Sequence, residues 1–287
     1  MATAAFSELV AKSGADAFSV ADRIKGCLFG LLIADALSMP THWFYGGERQ
    51  VVGTYGGRLN GYVKPTSKLP GSIMSLSNTG GAGRGGSQGN IIGDVIFHGK
   101  KKFWKRGGNY HYHQGMAAGD NTLEALLVRR VANVTAEIGT GEFNPSAILG
   151  DYINFMMTPG THNDTYCGTS HRMYFKNYVA GKDPADCPDN DGHNVDSADS
   201  IVTTVPVALI SDTDTAARSM VAEMVALTRD SKTSQQHAAL FATTVRAVVM
   251  GVSVRDAVQA AGKAVKYDVK SIVERDGDSP GRNPVTA

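Results

Sequence analysis

Apolar residues along this chain recur mostly at intervals of three and four, the period of a helix that buries one face. Ser19-Val20-Ala21-Asp22 has the form of a capping box, and Ile24, Leu28, Leu31 and Leu32 follow at helical spacing. A first helix is therefore expected to start near Asp22, run towards Asp35 and stop before Pro40. Asp120 or Asn121 can cap a helix carrying Leu123, Leu126, Leu127, Val131 and Val134. Asn144-Pro145 pairs a cap with proline at the first helical position. The apolar face of that helix is Ile148, Leu149, Tyr152, Ile153 and Met156, and Thr158-Pro159-Gly160 stops it. A further helix is expected over residues 170–179, with Gly181 as its stop.

The same periodicity continues towards the C-terminus. Residues 201–210 form an apolar segment of buried character. Ala217, Met220, Val221, Met224 and Val225 mark one helix; Leu240, Phe241, Val245, Val248 and Val249 mark another, ended by Gly251. Ser253-Val254-Arg255-Asp256 opens the last clear one. Residues 46–109 break the pattern: they are glycine-rich, weakly periodic and contain the run from Gly80 to Gly86. A loop of that length inside a compact domain is usually functional or mobile. The fold class predicted is all-α: a single compact, multi-helix orthogonal bundle with a long glycine-rich loop insertion. Residues 1–21 read as an N-terminal extension, 22–266 as the helical domain and 267–287 as a polar tail expected to be disordered.

Composition sets limits on this picture. The 287 residues are 42% hydrophobic and 19% charged, ordinary for a globular chain with a sizeable core. A net charge of +1 gives no global electrostatic reason to expect nucleic acid or a membrane as partner. No apolar run approaches the ~20 residues of a membrane span, and the first 21 residues lack the features of a secretory signal. Three widely spaced cysteines, Cys27, Cys167 and Cys187, suggest a reducing, cytoplasmic or otherwise intracellular setting and give no metal-ligand pattern. The oligomeric state is not legible.

Candidate chemistry concentrates in five places. Asp120, Asn121 and Thr122 offer a carboxylate, a carbonyl and a hydroxyl at a helix start, oxygen ligands suited to Mg²⁺ or Ca²⁺. The bland alternative is a capping box, Asn121-x-x-Glu124. His42, followed by Trp43, Phe44 and Tyr45, can serve as general acid or base, with aromatics that either stack on a base or simply pack. His111 and His113 share one face of an extended segment and line a cleft, or else bind zinc without a recognisable third ligand. His162, Asn163 and Asp164 follow a helix stop and either serve a site or fix an Asx-type turn. Asp35 ends an apolar helix, where a carboxylate supports a metal or bonds a neighbouring helix terminus. Two further motifs carry less. Gly81-x-Gly83-x-x-Gly86 lacks the strand and helix of a dinucleotide fold, and Lys100 to Arg106 is the kind of basic run that is usually a solvated face.

Several of these pieces, in their order, resemble the ADP-ribosylglycohydrolase family, over roughly residues 22–265. Gly26-Cys27-Leu28-Phe29-Gly30 through Ala34-Asp35-Ala36-Leu37-Ser38-Met39-Pro40 is similar to the family's opening helix. Ala118-Gly119-Asp120-Asn121-Thr122 stands in the place of its Thr-Asp-Asp-Thr metal motif. His111-Tyr112-His113-Gln114, His162-Asn163-Asp164-Thr165-Tyr166 and His171-Arg172-Met173 resemble a divergent subgroup with Glu-Asn-Thr in that motif. The resemblance implies an all-α protein with a cleft over two magnesium ions that hydrolyses the bond between ADP-ribose and an acceptor. It also implies Asp120 as catalytic and metal-holding, Asn121 and Thr122 in the metal shell, and His111, His113, His162, Asn163 and Asp164 at the substrate. The expected partner is ADP-ribose or an ADP-ribosylated substrate.

The chain departs from the family where charge matters. His42 replaces an acidic residue, Asn121 replaces the second aspartate and Gly119 replaces a threonine, which implies a weakened site for one or two Mg²⁺ ions. Asp212-Thr213-Asp214-Thr215 copies the family's distal Asp-x-Asp-Thr metal motif, so Asp212, Asp214 and Thr215 are alternative ligands. Its flanking order instead resembles the middle of the family, where the position starts an ordinary helix and Ser211-x-x-Asp214 is a capping pattern. On that reading the distal metal half is absent, and the alternative function is a catalytically inactive member that binds ADP-ribose or a nucleotide, or has a structural role.

Overall fold

The computed structural model describes residues 18–72, 74, 91–139, 142–192 and 194–276. The glycine run and Arg84 lie outside these residues, as do the last eleven positions. Among the described residues there is no strand, and the all-α expectation holds. Apart from the irregular turn Ile91–Asp94, the described residues form eleven α-helices: α1 Val20–Ser38, α2 Gly47–Tyr55, α3 Leu123–Ile138, α4 Pro145–Met157, α5 Thr169–Val179, α6 Asp199–Val202, α7 Val205–Ile210, α8 Asp214–Ala226, α9 Lys232–Val249, α10 Val254–Ala264 and α11 Val269–Asp276.

Local signals account for most of the boundaries. Ser19 Oγ accepts from Asp22 N at 3.1 Å while the Asp22 carboxylate accepts from Ser19 N, completing the box that opens α1. Asn144 Oδ1 accepts from Ala147 N at 3.0 Å, with Pro145 behind it. At α8 the cap is Thr213, whose hydroxyl accepts from Ala216 N at 3.1 Å; the expected box between Ser211 and Asp214 does not form. Ser211 turns back to Val207 O instead, and Asp214 pairs with Arg246 at 2.8 Å.

Helix α3 carries the architecture. Its residues Leu123 and Leu127 belong to a core with Ile92, Phe97, Trp104, Phe155, Tyr174 and Phe175. One turn on, Val131 belongs to a second core with Val207, Val221, Val225, Ala238 and Ala242. A smaller cluster, Ala247, Val252, Ala257 and Ala260, joins α9 to α10. The basic run is tied into this frame. Trp104 is buried and donates to Thr165 O at 3.0 Å, while Lys100 bonds Asn163 and Lys101 bonds Asp94.

Three expectations need adjustment. The segment over residues 46–109 opens with a helix, α2, whose end is set by Gly56 in the left-handed region at φ 77°. Helix α11 lies within the stretch read as a polar tail; Gly262 makes room for it, since a Cβ there would stand 2.3 Å from Val269 Cγ2. Finally, Val20–Thr41 is long and apolar enough to cross a membrane by length and composition, with mean hydropathy 1.3 and only 17% of that stretch buried. Glycine and alanine interleave its Leu, Ile and Phe residues, so it shows no continuous run to the eye. Phe29, Ile33 and Leu37 stay exposed along it, and Cys27 is half-buried. All three cysteines are free.

The start of α3 is held from a distance. Its N-cap residue Thr122 makes no cap with its own side chain. Asp35, at the end of α1, accepts from Thr122 N at 2.8 Å, Thr122 Oγ1 at 2.7 Å and Asn121 Nδ2 at 3.0 Å. Bonds to an ionised acceptor contribute about 1.5–3 kcal/mol each before the cost of ordering. Asp35→Ala is therefore expected to lower unfolding stability by roughly 2–3 kcal/mol, whereas Asp120→Ala, at the half-buried turn before it, costs under about 1 kcal/mol. Urea denaturation checks both; equal effects from the two variants would contradict a cross-helix cap.

Candidate active site

A second carboxylate reaches the same helix start. Asp164 is buried, and its Oδ2 accepts from Leu123 N at 2.8 Å. Its Oδ1 accepts from Thr165 N at 2.6 Å, from Tyr166 N at 3.3 Å and from His113 Nδ1 at 2.7 Å. Burial alone would raise its pKa, but His113 and these backbone donors outweigh it and hold the carboxyl down to about 2. Asp164 is thus an ionised acceptor throughout the neutral range.

That charge fixes the protons on the rings beyond it. Facing an ionised oxygen, His113 Nδ1 must carry hydrogen. His113 Nε2 lies 2.6 Å from His42 Nδ1, and His42 Nε2 lies 3.5 Å from Ser38 Oγ. Burial, then the neighbouring His113, pushes the pKa of His42 down to about 3. In the tautomer that leaves His113 Nε2 without hydrogen, His42 Nδ1–H donates to it, and His42 Nε2 keeps a free lone pair. His111 stands beside this row without joining it. Its Nε2 donates to Pro40 O at 3.1 Å and its Nδ1 accepts from His113 N at 3.1 Å, so it is neutral, with a pKa lowered by burial to about 4.

Aromatic packing supports the row. Trp43 adopts a left-handed backbone at φ 60°, which costs a non-glycine residue roughly 1–2 kcal/mol. Its ring stacks on Tyr112 at 3.9 Å and meets Tyr166 edge-on at 4.8 Å. These contacts offset that cost and set where His42 enters. His162 is turned away, packed against Phe97 at 4.5 Å, and burial lowers its pKa. Asn163 clamps the loop, donating to Gly115 O at 2.9 Å and accepting from Lys100 Nζ at 2.9 Å.

The structure thus brings His42, His111, His113 and Asp164 together, with Asp35, Asn121 and Thr122 at the same helix terminus. Asp120 sits at the adjoining turn, where Oδ2 accepts from Ala117 N at 2.8 Å. Asp212, Asp214 and Thr215 belong to the start of α8, on the side of the second core.

A further cluster lies one residue along α3. Glu124 Oε1 is 3.0 Å from His171 Nε2, and Asp199 accepts from Arg229 Nη1 at 2.9 Å. Glu124, His171 and Asp199 each offer an atom within 4.8 Å of the others and could hold a metal ion. Burial raises the Glu124 pKa; burial acts the same way on Asp199, but the charge of Arg229 overrides it and lowers that group. Sequence reading gave Glu124 and His171 other roles and passed over Asp199 and Arg229. The available signal was a carboxylate inside an apolar stripe, Glu124 with Leu127, Val128 and Val131, and a histidine on the aromatic face of Tyr174, Phe175 and Tyr178.

The polar groups gather at one helix start of an all-helical fold, and the sequence defines the family to which they belong. The pattern of the ADP-ribosylglycohydrolase family matches residues 17–281, and the chain belongs to that family. No curated protein and no solved structure matches it.

The pH dependence of stability follows from the shifts. His42 and His111 bind protons more weakly folded than unfolded, so the unfolded state takes up protons preferentially below about 6.5. Stability is therefore full above that pH and falls as pH drops towards about 4 and then 3. Asp164, held at about 2, adds a further loss below about 4. Melting temperature measured from pH 7.5 to 3.5 is expected to fall, and His42→Asn combined with His111→Gln is expected to flatten the upper part of the slope. An unchanged slope in the double variant would contradict these assignments.

Proposed function

We propose that this chain hydrolyses the glycosidic bond between ADP-ribose and a modified acceptor in a metal-assisted reaction, with His42 as its general base. The observation that carries this reading is the row Asp164, His113, His42, whose last ring turns Nδ1 to His113 and leaves Nε2 as its outer atom, at the position of the family's acidic residue. A proton taken from an attacking water by His42 Nε2 is matched by transfer of the Nδ1 proton to His113. The charge then comes to rest as an imidazolium beside ionised Asp164. The row thereby compensates for the weak basicity of an isolated, buried His42.

Mg²⁺, when bound, would polarise a ribose hydroxyl or the water. Asp120, Asn121 and Thr122 would hold it, and their hydrogen bonds fit that role. Thr122 gives its proton to Asp35, which leaves the hydroxyl lone pairs uncommitted. Asn121 spends its amide protons on Leu32 O and Asp35, leaving Oδ1 without a donor among the described residues. His111 and Asn163 position the backbone around the histidine row.

Release of ADP-ribose from peptides modified on arginine and on serine tests the reading. The wild type with Mg²⁺ is expected to turn over one of them, and His42→Ala to lower kcat by about 10²–10⁴. Asp164→Asn is expected to do similar damage, because it removes the acceptor that fixes the His113 tautomer. Full activity in His42→Ala, or none in the wild type, would overturn the proposal.

A further inference from the structure

The cluster of Glu124, His171 and Asp199 is not used by the reaction just described, and it is incompletely satisfied. Glu124 Oε2 and Arg229 Nε are buried without a hydrogen-bond partner. A buried carboxylate oxygen left without a donor is costly, and each such atom calls for a ligand, a water or an ion. Beside the cluster lies a cavity of about 30 Å³, lined by Glu124, His171, Arg229 and Tyr152 together with apolar side chains, two threonines and the Arg130–Asp151 pair. That is room for about two water molecules, given the ~10–15 Å³ each requires.

The three side chains are presented on separate elements and are individually fixed. Glu124 comes from the first turn of α3, His171 from α5 and Asp199 from α6. Asp199 Oδ1 accepts from Arg229, Ser200 N and Ser197, which orients the carboxylate and leaves Oδ2 as its open atom. Gly168 gives that atom space: a Cβ there would stand 3.1 Å from it. His171 Nδ1 lies 2.8 Å from Tyr152 Oη, so the hydroxyl oxygen can accept a hydrogen bond from Nδ1–H when Nε2 ligates. A fixed outer partner of this kind accompanies metal-bound histidines generally.

We propose that Glu124, His171 and Asp199 bind one divalent transition metal, zinc in preference to magnesium, joining α3, α5 and α6. One imidazole and two carboxylates are a mixed nitrogen and oxygen set, which suits zinc; magnesium favours oxygen and keeps its waters. Tetrahedral metal–ligand bonds of about 2.0–2.2 Å hold ligand atoms roughly 3.3–3.6 Å apart, so the present spread of up to 4.8 Å closes by about 1 Å on binding. Arg229 opposes the cation but is engaged with the far oxygen of Asp199 and with Val195 O. The cavity supplies the remaining coordination position for water. The site does not depend on the glycohydrolase reading, and its test measures metal rather than turnover.

The protein is stripped with a chelator, loaded with Zn²⁺ in the presence of a hundredfold excess of Mg²⁺, desalted and analysed for metal. The wild type is expected to retain one more zinc per chain than His171→Gln or Asp199→Asn, and to melt at a higher temperature loaded than stripped. Asp120→Ala is expected to retain that zinc. Equal zinc in wild type and in folded His171→Gln would overturn the proposal, as would none in the wild type. Should the variants not fold, zinc-edge X-ray absorption on the wild type decides: one imidazole with oxygen neighbours is expected, and two imidazoles or a thiolate would refute it.

Discussion

The first turn of α3 has backbone N–H groups that its own side chains do not satisfy, and two carboxylates from elsewhere in the chain satisfy them instead. Asp35 takes the N–H of Thr122 and Asp164 takes that of Leu123. A helix start favours negative charge, so both anions are stabilised where they sit. In return, α1 and the loop before α5 are tied to one point of the fold. Everything proposed for the site follows from that constraint. Asp164 is ionised because the helix and its own loop donate to it, and only an ionised Asp164 fixes the proton on His113.

The same helix divides the molecule's polar interior. On one side of its start, the histidine row runs outward through His42 towards Ser38 and the end of α1. On another, Glu124 meets His171 and the cavity between the two main cores. Successive residues, Thr122, Leu123 and Glu124, thus face three different partners. Small movements of this turn would be felt by all three, so a helix anchored by apolar packing in two cores is a suitable platform for it.

Much of the fold was legible because helix signals are local. The Ser19 box, the Asn144-Pro145 start and the apolar faces of α3, α4 and α9 required no knowledge of the rest of the chain. The α3 start was misplaced by a residue or two because its cap is supplied by Asp35, 87 positions away, and no local pattern records that. Likewise, Thr213 rather than Ser211 caps α8, since Ser211 finds a closer acceptor in its own preceding turn. Of the site, the relevant segments could be picked out: His42, His111, His113 and Asp164 were all singled out. Their connection was not, because a ring-to-ring contact across 71 positions and a ring-to-carboxylate contact across 51 depend on packing alone. Glu124 and Asp199 were hidden by having ordinary local explanations, one as a capping-box partner and one as a polar residue before an apolar segment.

The central claim is that His42 presents an unprotonated Nε2 because Asp164, through His113, dictates the proton positions. Nitrogen-15 NMR of the histidine rings at pH 7 measures this directly. Neutral His42 and His113 both protonated at Nδ1, with His42 changing tautomer or titration in Asp164→Asn, is the predicted result. A His42 ring protonated at Nε2 in the wild type, unaffected by Asp164→Asn, would contradict the account.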